Sequence, residues 1–118
     1  RQLMPPRDWA FRVTDVLRAV EAVRYYVDGM DVDAFAKDQR TVDAVVRNLI
    51  IIGEVATHMP SAIVRAHPEI PWSDMSAMRN FVVHEYFGVS NRVIWDTVQE
   101  DLPSLVAPLQ ALLHSEEK

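Results

Sequence analysis

The chain has 118 residues, enough for one ordinary domain whose core needs neither disulfide nor metal. It contains no cysteine and only three glycines, which excludes thiol catalysis, thiolate metal sites and a glycine-rich phosphate cradle. Twelve Lys and Arg against seventeen Asp and Glu give a formal charge of −5, which opposes non-specific binding to a polyanion.

Ten of the twelve cations are arginine, Lys37 and Lys118 being the exceptions, so any recognition of phosphate or carboxylate rests on planar, bidentate contacts. No apolar run approaches the roughly 20 residues that span a bilayer, and RQLMPPRDW lacks the apolar core of a signal peptide. The expectation is a cytoplasmic protein with one domain over residues 4–118. Residues 1–3 precede Met4 and are read as an expression remnant.

The first predicted helix runs from Asp8 to Asp28. Phe11, Val13, Val16, Leu17, Val20, Val23, Tyr26 and Val27 recur at three- and four-residue spacing, Asp8 serves as N-cap, and Gly29 is the left-handed stop. Residues 31–38, DVDAFAKD, form a short helical turn in a connector. The stretch TVDAVVRNLIIIGEVATHM is rich in Val and Ile, but its length, its alanines and its lack of turn signals decide for helix.

That second long helix is apolar on two sides. Val42, Val45, Val46, Leu49, Ile52 and Ala56 fill one face, and Ala44, Ile51, Val55 and Met59 fill much of another. Asp43, Arg47, Glu54 and His58 make a narrow polar stripe, most simply two i,i+4 pairs on a solvated face. A helix of this kind is either the centre of a bundle or a subunit interface.

Pro60 opens a short helix to about His67, and HPEIPW is a tight connector. A further helix is expected from near Pro71 to Tyr86, stopping around Phe87 and Gly88. The last begins after Ser90 or Asn91, carries Val93, Ile94, Val98 and Leu102, and must kink or restart at Pro103. Pro108 is expected to disturb the tail again, and HSEEK to fray. With no period-two alternation anywhere, the fold class is all-α, an up-and-down bundle of four main helices with short extra turns.

The stretch RNFVVHEY, residues 79–86, concentrates the chemistry. A histidine titrates near pH 6.5 and can take or give a proton. An arginine holds phosphate bidentately and stabilises charge developing on it. Asn80 can orient a phosphate oxygen. Together Arg79, Asn80 and His84 suit cleavage of RNA by attack of its own 2′-hydroxyl, which needs acid, base and charge stabilisation but no metal. At about 100° per residue, however, Arg79 and His84 lie roughly 140° apart, whereas Arg79 and Tyr86 differ by roughly 20°. Either the helix loosens before Gly88, or a second copy of the chain supplies the missing half across a two-fold axis. The second solution would also cover the doubly apolar helix. The plain structural reading of Tyr86 is packing at a core border, and His58, His67 and His114 lack metal-ligand spacing.

The run RNFVVHEYFGV, preceded by PEIPW and joined to the upstream RNLIIIGEVA, resembles the HepT-like ribonuclease toxins (DUF86) of the HEPN superfamily, the higher eukaryotes and prokaryotes nucleotide-binding domains. The resemblance extends from near Asp8 through VIWDTVQEDLP at 93–103, and Arg79, His84 and Tyr86 fill every position of that group's Arg-x4-His-x-Tyr motif. It implies a four-helix HEPN bundle and a homodimer whose two motifs share a cleft. It further implies metal-independent endoribonuclease activity on RNA, tRNA included, leaving a 2′,3′-cyclic phosphate, with no cofactor. The implied partner is a minimal nucleotidyltransferase (MNT) antitoxin that silences the toxin by transferring AMP to Tyr86. Within this reading Arg79, His84 and Asn80 are catalytic, and Glu54 and Arg47 are supporting residues. Positive potential has to be collected from Arg79, Arg47, Arg40 and Arg92. The alternative function is a non-catalytic dimeric module that binds the nucleotidyltransferase.

Overall fold

In a computed structural model, residues 8–85 and 91–116 are described, the side chains of 83–85 and 116 excepted. The order of elements is α1 (Trp9–Val27), α2 (Val32–Lys37), α3 (Gln39–Thr57), α4 (Ser61–Ala66), α5 (Trp72–Glu85), α6 (Asn91–Asp96), a π-helical turn (Thr97–Asp101) and α7 (Pro103–Glu116). The described residues are all-helical, as the periodicity requires. No helix among them is long and apolar enough to cross a membrane.

Local chemistry sets the boundaries. Gly29 takes the left-handed conformation (φ 79°) just past α1, a backbone state that costs glycine nothing. Asp31 caps α2, its Oδ1 accepting the Ala34 N–H at 2.8 Å. Replacing Asp31 by Ala should cost about 1 kcal/mol of stability, read as a lowered urea midpoint with an unchanged m-value. Asp38 accepts the Thr41 N–H at 3.2 Å, so α3 begins at Gln39, three residues before its first apolar position, Val42. Asp8 occupies the first N-cap without a side-chain cap bond; its carbonyl accepts the Arg12 N–H at 3.1 Å.

The core forms where the apolar stripes meet. Val13, Val16, Val20 and Val23 of α1 face Val42, Val45, Leu49 and Ile52 of α3 within one buried cluster, which Leu105, Leu109 and Leu112 of α7 extend. Met75, Met78 and Val82 bring α5 into the same cluster. Phe35 meets Trp95 with ring centroids 5.4 Å apart, tying α2 to α6. α3 packs against α1 on one side and α5 on the other. The face of Val42, Val45, Leu49 and Ile52 is buried within one chain, as are Val55 and Met59 of the second face, whereas Ala44 and Ile51 stay partly exposed.

Two expectations about the C-terminal region change. Pro103 has no N–H to give a helical carbonyl, and the preceding turn widens instead: the Leu102 N–H reaches back five residues to the Thr97 carbonyl at 3.3 Å. The chain restarts there as α7, with Pro103 in the first-turn position that tolerates it. Pro108 does not disturb the tail. It lies inside α7, where Leu105, Leu109 and Leu112 on the buried face hold the helix despite the lost hydrogen bond. The expected fraying of HSEEK is likewise replaced by helix as far as Glu116, with Ser115 Oγ donating to the Leu112 carbonyl at 3.0 Å.

Candidate active site

α3 and α5 run antiparallel along a close seam. Gly53 stands against Arg79, and four residues further along α3 Thr57 stands against Ser76, with the two hydroxyl oxygens 3.2 Å apart. A β-carbon at position 53 would fall 2.7 Å from the Arg79 backbone nitrogen and 2.9 Å from its Cα. Only glycine lets the backbones approach so far. A glycine inside an apolar helical pattern is the sequence signal for such contact, and Gly53 of the IGE segment carried it unread. Nothing in the sequence indicated the Thr57–Ser76 contact.

The backbone of Arg79 is pinned at this seam, and its side chain leaves along it. Nε lies directly against Oε1 of Glu54, and Nη1 donates to Asn80 Oδ1 at 3.2 Å. The Glu54 contact is an ion pair rather than a directed hydrogen bond, because the buried Nε–H is not aimed at an acceptor. Both side chains remain about 35–42 % exposed, so water screens the pair. Glu54 Oε2 is 3.7 Å from Nδ1 of His58, and that same nitrogen is 2.9 Å from the Glu54 carbonyl. A carbonyl can only accept, so this contact is a hydrogen bond when Nδ1 carries a proton.

This geometry changes the angular argument. Asn80 is exposed, and position 84 follows it one turn later, roughly 40° away on the helix. The Arg79 side chain is long enough to carry its guanidinium to Asn80, so the charge sits on the flank of positions 80 and 84 although its Cα faces the seam. The arginine head is thus carried toward the flank on which position 84 falls by helical angle. His84 belongs to α5, but its side chain lies outside the described residues, as does Tyr86 altogether.

The remaining predicted residues separate. Arg47 is exposed on the α3 stripe that carries Glu54 and His58; Asp43 accepts from Gln39 Nε2 at 2.8 Å. Of the two expected i,i+4 pairs, Glu54–His58 is observed. Arg92 is ion-paired within α6, its Nε 3.6 Å from Asp96 Oδ1. Between α5 and the α6–α7 region a groove of about 530 Å³ is lined by Met78, Phe81, Val93, Asp74 and Asp101 among others. Its carboxylates disfavour an anionic substrate, and it includes neither Arg79 nor Asn80. Among the described residues no cluster of His, Asp or Glu could hold a metal ion.

Comparison with known proteins adds an independent line. The profile of the family described as "Ribonuclease HepT-like" matches residues 16–112. "Probable ribonuclease HepT" of Thermococcus cleftensis is 42% identical over 98 residues, which span 83% of this chain and 89% of that one. A "Putative RNase" of Methanocaldococcus jannaschii is 30% identical over 110 residues, 93% of this chain and 91% of its own. Another "Putative RNase", from Caldanaerobacter subterraneus, is 35% identical over 101 residues, covering 86% of this chain and 90% of its own. No solved structure matches. A profile match across most of the chain, joined to relatives of this identity and coverage, places the chain in the HepT-like ribonuclease family.

Proposed function

We propose that the protein is a metal-independent endoribonuclease, the toxin of a HEPN/MNT toxin–antitoxin pair working in the cytoplasm as one domain over residues 4–118. The observation that carries this reading is the half-buried Arg79 guanidinium, held between Glu54 and Asn80 on the flank of position 84 in a chain of this family. In the reaction the 2′-hydroxyl of RNA attacks the adjacent phosphorus and the 5′-oxygen leaves, giving a 2′,3′-cyclic phosphate. His84 transfers a proton as general acid or base, Arg79 stabilises the negative phosphorane, and Asn80 positions a phosphate oxygen. Glu54 aims Arg79 without touching substrate.

A homodimer of the HEPN four-helix bundle would double these groups in one cleft, and its mass is measurable by light scattering. The nucleotidyltransferase partner transfers AMP to Tyr86, adding bulk and negative charge that repel an anionic substrate. The deciding experiment incubates unmodified protein, its intact mass checked for AMP, with total tRNA in EDTA beside His84→Ala. Cleavage by the parent alone, ending in a cyclic phosphate, is the expected outcome. No cleavage by folded, AMP-free protein would sink the nuclease reading in favour of the non-catalytic module that binds the nucleotidyltransferase.

A further inference from the structure

The outer stripe of α3 extends beyond Glu54 and His58. Arg47 lies seven residues before Glu54 and Arg40 seven before that, so all three fall within roughly 40° of one line along the helix. Both arginines are exposed, and neither forms an ion pair with a described carboxylate. By helical rise Arg47 stands about 10 Å and Arg40 about 20 Å along the axis from Glu54, the residue against Arg79. Because α3 and α5 are antiparallel, this direction is also the one in which position 84 follows Arg79. Asp43 falls between the two arginines, and its Oδ1 is engaged by Gln39 Nε2 at 2.8 Å.

The geometry points to Arg47 and Arg40 as a phosphate track: they bind the RNA backbone on one side of the scissile bond, whose phosphate sits at Arg79. The inference rests on the nuclease reading for its scissile site but not for its binding. Both arginines are exposed on the stripe, with Asp43 between them, and lie along the same line that leads to Arg79. The stripe also reconciles an acidic chain with a polyanionic substrate, because the positive charge is local and linear, whereas the groove lined by Asp74 and Asp101 includes none of these arginines. A track on one side makes recognition directional. A dinucleoside monophosphate carries a single phosphate and cannot occupy Arg79 and the track together, whereas a ten-nucleotide single strand can.

The test uses the full chain, AMP-free, as parent, Arg40→Gln/Arg47→Gln and Asp43→Asn. Binding is read by fluorescence anisotropy with a labelled, uncleavable ten-nucleotide 2′-deoxy strand across a salt series. Two lost phosphate contacts should reduce the slope of log K against log salt by about 1.4 and weaken binding at least tenfold at low salt, while Asp43→Asn tightens it. Cleavage is read as the ratio of kcat/KM for a ten-nucleotide RNA over a dinucleotide, which should collapse about tenfold in the double variant. An unchanged salt slope, or equal losses on both substrates, overturns the track. If the parent cuts neither RNA but the slope still changes with the arginines, the track stands and the nuclease reading fails.

Discussion

Arg79→Ala should lower kcat for RNA cleavage by about a hundred- to a thousandfold, the usual cost of removing one donor aimed at developing negative charge. The guanidinium is only half-buried, so the loss should appear in kcat with the fold intact by circular dichroism. Arg79→Lys keeps a positive charge but lacks the planar fork that here divides Nε toward Glu54 and Nη1 toward Asn80, so it should recover only part of the rate. Glu54→Gln separates holding from charge. The pair is half in water and contributes about 1 kcal/mol or less to stability, so the variant should melt close to the parent. Its kcat should nonetheless fall about tenfold, because the arginine head is no longer fixed. Parent-like kcat in both Arg79→Ala and Glu54→Gln would remove this seam from the reaction.

Gly53→Ala should destabilise the fold at the α3–α5 seam. Alanine ordinarily favours a helix over glycine by about 1 kcal/mol, which predicts a gain. Here the added carbon would meet the backbone nitrogen and Cα of Arg79 at 2.7 and 2.9 Å, and backbone cannot rotate aside as a side-chain tip can. α3 and α5 must separate, with a net loss of about 1–3 kcal/mol from the forced repacking. Urea titration measures it, and activity at temperatures where the variant stays folded should also fall, because the shift displaces Arg79. A raised midpoint would mean that the two helices are not in contact at this point.

Much of this was legible in the sequence, and the reason differs by element. The periodicity of α1, with Gly29 behind it, is a local property that three- and four-residue spacing and one left-handed glycine declare. The restart at Pro103 is equally local, since a missing N–H cannot be repaired by anything distant. Pro108 was misread because its cost is local while its compensation, the burial of Leu105, Leu109 and Leu112, belongs to the assembled core. The roughly 140° between positions 79 and 84 was a correct backbone angle and an incomplete argument, because it left out the reach of the arginine side chain.

The sequence by itself determined the helical class, most helix ends, the family resemblance and the residue types available for chemistry, because these depend on spacing along one chain. Only the tertiary structure decided which helices pack against α3, that Gly53 is the point of closest approach, and that Glu54 meets Arg79 rather than only its own i,i+4 neighbour. It also decided that the α3 stripe of Arg40, Arg47 and Glu54 leads to Arg79, through the Glu54–Arg79 contact. Those facts depend on the antiparallel register of two helices, and register is fixed by how their side chains interlock, which neither helix specifies alone.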